Sequence, residues 1–147
     1  MSQENIEKFS SQMMELLPRL ARGLAHYEHN ELTRGRITLP QLWALDCLYL
    51  NEKNKMSDIA RCLGISRAAA TGLIDRLIAQ ELVSRKDDQA DRRLVWIALT
   101  AKGRNVISRI RRQRIRTLIK VFGRISAKDR KHYLKILEQI VKITPSL

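Results

Sequence analysis

The sequence predicts a mainly α-helical fold with a single β-hairpin set between its helices. Three observations predict it. Apolar residues recur at helical spacing over most of the chain; residues 82–99 alone change to β-branched and apolar runs around a polar turn; and a helix–glycine–helix unit stands directly before that stretch. At 147 residues the chain can hold one core plus an arm, but not two full domains.

From Ile6 the apolar residues run Ile6, Phe9, Met13, Leu16, Leu17, Leu20, Leu24 and Tyr27, an amphipathic stripe of about six turns that needs a partner to cover it. Pro18 interrupts it, as a kink or as the first turn of a second helix. After Gly35, the run Thr38-Leu39-Pro40 marks a break, and Leu42, Leu45, Leu48 and Tyr49 carry a second helix to about Asn51. The polar linker NEKNK leads to a short third helix, Met56 to Leu63. Gly64 stops that helix, and Ser66 opens a fourth that reads to about Gln80. The segments LVSRK and RRLVWIAL flank the turn DDQAD as a hairpin. Leu99-Thr100 then hands over to a helix from Ala101 to about Phe122. A last helix, capped by Ser126, runs from Lys128 to about Ile143 with Tyr133, Leu134, Leu137, Ile140 and Val141 on one face. These elements divide the chain into an N-terminal helix (1–36), a central region (37–100) and a C-terminal helical pair (101–147).

Charge narrows the function classes. Lys and Arg number 28 against 15 Asp and Glu, a net charge of +13 that calls for an anionic partner, most commonly nucleic acid. Residues 102–124 hold nine basic side chains and no acid, whereas the first 31 residues are slightly acidic. The sequence lacks a secretory leader and any apolar run of the roughly 20 residues that a bilayer requires, so a soluble, cytoplasmic protein without membrane contact is expected. Cys47 and Cys62 have no CxxC or His-spaced partners, which indicates neither a disulfide framework nor a zinc site and fits a reducing compartment. A nucleophile with its base, a carboxylate pair, a phosphate-cradling loop and metal-ligand spacings are all missing; His26 and His29 lack a third ligand. No enzyme, cofactor or metal is expected.

The strongest local signal is KMSDIARCLGISRAAATGLIDRLIAQ. Ile59, Ala60 and Leu63 face a core, the small Ala60 admits a closely crossing helix, and Gly64 supplies the tight turn. The next helix buries Ala70, Leu73, Ile74 and Leu77, which leaves Arg67, Ala68, Thr71 and Asp75 facing outward, able to enter a DNA major groove. On that face Thr71 can hydrogen-bond a base edge, Ala68 allows close approach, and Arg67 can read guanine or grip phosphate. Ser66 and Arg76 are candidate phosphate contacts. The motif alone serves a helix–turn–helix and an ordinary αα-corner equally well. Gly72 weakens its helix by about 1 kcal/mol relative to Ala, unexplained unless something approaches the backbone there.

The hairpin shifts that balance. A helix–turn–helix followed directly by a β-ribbon with Arg85, Lys86, Arg92 and Arg93 flanking the turn has the layout of a winged helix, and an arginine on a thin ribbon suits a narrow minor groove. Asp87, Asp88 and Asp91 make the tip mixed in sign, and one of them is expected to pair with an arginine and fix the loop.

Over nearly its whole length the chain resembles the MarR family of bacterial transcriptional regulators. The resemblance is carried by Leu39-Pro40-Gln41-Leu42-Trp43, by Gly-Ile-Ser at 64–66, and above all by DRRLVWIALTAKG at 91–103. It implies a winged helix–turn–helix with Asp91 bracing the wing, Arg93 entering the minor groove and Arg92 on a neighbouring phosphate. It further implies a homodimer intertwined through the first, fifth and sixth helices. Such a dimer would repress transcription from a pseudo-palindromic operator on double-stranded DNA, in the bacterial cytoplasm at the nucleoid. Family members often bind small aromatic ligands, which the resemblance places near Arg22, His26, Tyr27 and Trp43; plain packing or surface is the blander role for each. Some relatives sense oxidants through one thiol, but buried, inert thiols are expected for Cys47 and Cys62.

One departure from the family stands in the arginine-rich stretch 104–116. It lies along a DNA backbone or forms a solvated face with local acid partners; the second is expected, because Val106, Ile110, Ile115, Leu118 and Phe122 already give that helix a packing side. Two rival functions remain. A nucleic-acid-coating architectural protein fits the charge, and a module whose basic helix meets an acidic protein predicts no DNA binding.

Overall fold

The computed structural model describes residues 3–26, 36–51, 53–88 and 94–144. The elements run α1 (Gln3–His26), α2 (Leu39–Leu50), α3 (Met56–Leu63), α4 (Arg67–Ala79), β1 (Val83–Asp87), β2 (Val95–Leu99), α5 (Ala101–Phe122) and α6 (Ala127–Ile143). Their order matches the sequence expectation. Pro18 lies inside a single α1, which resolves the alternative the sequence left open. α2 begins at Leu39, three residues earlier than the apolar pattern implied. The Thr38 hydroxyl accepts from the Gln41 amide, the Gln41 side chain accepts from the Thr38 amide at 2.8 Å, and Pro40 occupies the first turn where its missing N–H is harmless.

The chain forms two compact units: residues 29–113, and residues 1–28 with 114–147. The first contains the core. Leu42, Leu45 and Leu48 of α2 meet Ile59 of α3, Leu73, Ile74 and Leu77 of α4, Val83 and Ile97 of the hairpin, and Ile107 and Ile110 of α5. The first half of α5 thus belongs to this core, and only the rest of it lies in the other unit. In that second unit no residue of α6 is buried, and Ile6, Phe9, Leu16 and Leu17 of α1 are each about half exposed or more, as are Leu134 and Val141 of α6. Phe122 stacks on Tyr133 with ring centroids 5.4 Å apart. The packing side expected for α5 is therefore borne out at Val106 and Ile110 but not at Ile115 and Leu118, which are exposed.

The two strands pair antiparallel from Val83↔Leu99 at the root to Asp87↔Val95 near the turn. A third backbone segment joins them: Asn54 exchanges hydrogen bonds with Ile97 at 3.1 and 2.8 Å, so the linker ahead of α3 is tied to the hairpin. Sequence reasoning left that linker as plain polar chain. At the root, Thr100 caps α5. Its hydroxyl accepts from the Gly103 amide at 3.0 Å and donates to the Glu81 carbonyl at 2.7 Å, while its own amide donates to the Leu82 carbonyl at 3.1 Å. A Cβ on Gly103 would overlap that same Leu82 carbonyl, which explains why glycine stands there.

The cysteines correct the sequence expectation. Cys47 on α2 and Cys62 on α3 form a disulfide, with Cα atoms 6.6 Å apart. Only Cys47 is buried, at 7% exposure; Cys62 is exposed. The spacing of 15 residues carries no signature, and the sulfurs meet because the packing of α3 on α2 brings them together.

Candidate nucleic-acid interface

α3, Gly64 and α4 build the centre of the site. Gly64 takes φ 63°, a left-handed conformation that lets its amide and that of Ile65 return to the last carbonyls of α3. Two residues on, the Ser66 hydroxyl accepts from the Ala69 amide at 3.1 Å and starts α4. Burial of Ala70, Leu73, Ile74 and Leu77 then fixes the rotation of α4 about its axis. Arg67, Ala68 and Asp75 stand exposed, as expected from the sequence; Arg76 is exposed too, whereas Thr71, expected on the same outward face, is half-buried. The Thr71 hydroxyl donates its proton to the Arg67 carbonyl at 2.9 Å, so towards any further partner this oxygen acts as an acceptor. A Cβ at Gly72 would meet nothing within 4 Å, so packing within the chain does not require that glycine.

A cleft of about 330 Å³ lies between α4 and the hairpin, lined by Lys55, Ser57, Arg67, Thr71, Arg85 and Val95 among others. Three cationic side chains and two hydroxyls converge there. Arg85 also pairs with Asp75 of α4, 2.7 Å away, a partly exposed contact between the hairpin and that helix. Lys86 is exposed on the same strand. Lys55 and Trp96 belong to this region although sequence reasoning passed over both: the Lys55 ammonium sits 5.5 Å from the centre of the Trp96 ring, whose indole N–H donates to Asp88 at 2.7 Å. The Asp88 amide also closes the turn onto the Leu94 carbonyl at 2.9 Å. Asp91, Arg92 and Arg93, which carried the wing assignment, lie outside the described residues.

The arginine-rich helix has acid partners. Arg111 pairs with Asp46 of α2 at 2.7 Å, and Arg111 and Arg104 stand 4.8 and 6.0 Å from the centre of the Tyr49 ring. Lys102 pairs with Glu81 at 2.8 Å, and this ammonium holds the Glu81 carboxyl below the usual carboxylate range. Glu81 itself takes φ 60°, unusual for a residue with a Cβ, in the turn that follows α4.

Of the residues considered for a small-molecule pocket, Arg22 is exposed on α1 and Trp43 is 52% exposed on α2. Tyr27 and the His26 side chain lie outside the described residues. Among the described residues, no group of three or more His, Cys, Asp or Glu is placed to hold a metal, and no helix is long and apolar enough to cross a membrane.

A capped helix set on a core of helices, with a two-stranded ribbon beside it, defines the winged helix–turn–helix fold. Residues 37–95 match the profile described as the MarR family. Over those residues the chain is similar to that family of transcriptional regulators. It is similar to the uncharacterized HTH-type transcriptional regulator YwhA of Bacillus subtilis, 26% identical over 98 residues that cover 67% of this chain and 70% of that one. Its fold is that of a MarR family protein from Bacillus stearothermophilus, at 24% identity and a TM-score of 0.76, covering 95% and 97% of the two chains. The BpsR regulator of Bordetella bronchiseptica, whose DNA binding is regulated by 6-hydroxynicotinic acid, is 25% identical, with a TM-score of 0.66 over 88% of this chain and 98% of that one.

Proposed function

We propose that the chain is a sequence-specific regulator that binds a pseudo-palindromic site on duplex DNA as a homodimer and represses transcription by occluding polymerase. The observation that carries this is the cleft between α4 and the hairpin, where Lys55, Arg67 and Arg85 stand beside the hydroxyls of Ser57 and Thr71. Arg67 and Thr71 would read base edges in the major groove. Ser66 and Arg76 would hold phosphates, Arg85, Lys86 and Arg92 would flank them from the hairpin, and Arg93, braced by Asp91, would enter the minor groove. Dimerisation is supported by the apolar faces that α1 and α6 leave uncovered within one chain, since two-fold symmetry buries matched faces reciprocally. Relief by a small aromatic acid is a further part of the reading, supported by the similarity to BpsR.

The ion pairs of Arg111 and Lys102 weigh against an architectural coating role, because they commit part of the basic helix to contacts within the chain. The test is affinity for a duplex enriched from random DNA by the protein itself, against a scrambled duplex at physiological salt. A ratio of about 1,000 or more is expected. Equal affinity for the two overturns specific recognition, and a ratio unaffected by Arg67→Ala overturns the assignment of α4.

A further inference from the structure

The only two cysteines of the chain are joined, and the two ends of that bond differ in their surroundings. Cys47 sits on α2 between Leu45 and Leu48, which are wholly or almost wholly buried, and is itself 7% exposed. Cys62 is exposed near the end of α3, two residues before the Gly64 turn that leads into the recognition helix. Thiol–disulfide exchange requires a thiolate to approach one sulfur along the S–S axis, so access decides which sulfur is attacked.

We propose that Cys62 is a modification site for low-molecular-weight thiols, with Cys47 as the protected leaving group. The incoming thiolate attacks the Cys62 sulfur and the Cys47–Cys62 bond breaks. A mixed disulfide forms on Cys62, and the electron pair leaves with the Cys47 sulfur, which takes a proton from water. A second thiolate can then attack the sulfur of the attached thiol. That step releases a low-molecular-weight disulfide and leaves Cys62 reduced, so the two electrons that reduce the protein come from two small thiols. The reaction does not require unfolding, because α2 and α3 remain packed through Leu45, Leu48 and Ile59 when the covalent tie opens. Its product places a polar group on α3 beside the turn that orients α4. The inference concerns the sulfurs alone and stands whether or not the chain binds DNA.

Peptide mapping tests it. The oxidised folded protein is exposed briefly to reduced glutathione, quenched with acid, and alkylated after denaturation. Glutathione on the Cys62 peptide and the alkyl group on the Cys47 peptide, with at least tenfold selectivity, are expected. Equal labelling, an adduct mainly on Cys47, or a bond that resists glutathione when the urea-unfolded chain is readily reduced would each overturn the proposal. Because the Cys47 thiolate can close the bond again, a second arm uses oxidised glutathione on single variants. Cys47→Ala is expected to take glutathione at Cys62 in the folded state, and Cys62→Ser is expected to leave Cys47 unmodified until urea is added. The reverse pattern also defeats the assignment.

Discussion

Arg85 on the first strand of the hairpin donates to Asp75 on α4 across 2.7 Å. The contact holds in place a cation that lines the cleft, and it also keeps a carboxylate on the surface proposed to meet phosphate. Asp75→Asn removes the anion and frees the guanidinium. Tighter DNA binding is expected, with the slope of log affinity against log salt steeper by about one phosphate contact. An unchanged slope would show that this face does not meet the duplex.

Gly72 and Gly103 make opposite predictions. At Gly103 the added Cβ meets the fixed Leu82 carbonyl, so Gly103→Ala should destabilise the protein by about 3 kcal/mol or more in urea unfolding. At Gly72 the same change meets open space and should stabilise by up to about 1 kcal/mol. If DNA lies against that part of α4, the stabilised Gly72→Ala protein binds its duplex more weakly.

Arg111 joins the middle of α5 to α2 through Asp46 and the face of Tyr49. Both charged side chains remain about a third exposed, 37% for Arg111 and 28% for Asp46, so solvent screens the pair. A double-mutant cycle on Asp46→Ala and Arg111→Ala should give a coupling of about 1 kcal/mol. A coupling near zero would mean that Arg111 acts only through the ring.

Lys102 lowers the pKa of the Glu81 carboxyl by hydrogen bonding and by charge. A carboxylate depressed in the folded state stabilises fully above its unfolded pKa, and that stabilisation is lost as pH falls through the lower folded value. Stability should therefore decline more steeply on the acid side in the wild type than in Glu81→Gln. Superimposable pH profiles would remove the pair from the account.

The exposed apolar face of α6 gives the dimer its test. Leu137→Glu puts a charge where the proposed partner would pack, and Leu137 is already 37% exposed, so the variant is expected to fold. Sedimentation should give a dimer for the wild type and a monomer for the variant. A wild type that sediments as a monomer at micromolar concentration would overturn the dimer.

How much of this was legible in the sequence follows from the range of each interaction. The ends of α3 and α4 were readable because Gly64 and Ser66 fix them by chemistry confined to a few residues. The outward face of α4 was readable from its apolar period. The start of α2 was placed late because Leu39 and Pro40 are exposed and contribute nothing to an apolar stripe. The Asn54 bridge, the Lys55 contact with Trp96 and the disulfide depend on segments brought together only by the fold, and no local pattern encodes them. The inert thiols expected of Cys47 and Cys62 were wrong for that reason. Gly103 was visible as part of a family motif, but its cause, the Leu82 carbonyl, became apparent only in three dimensions.

A single residue, Thr100, separates the last strand residue from the first helical one, and its amide and hydroxyl are both bonded to the turn after α4. No slack chain is left there to absorb torsion. The last strand of the hairpin and the opening turn of α5 are therefore joined through one bonded residue rather than a free hinge.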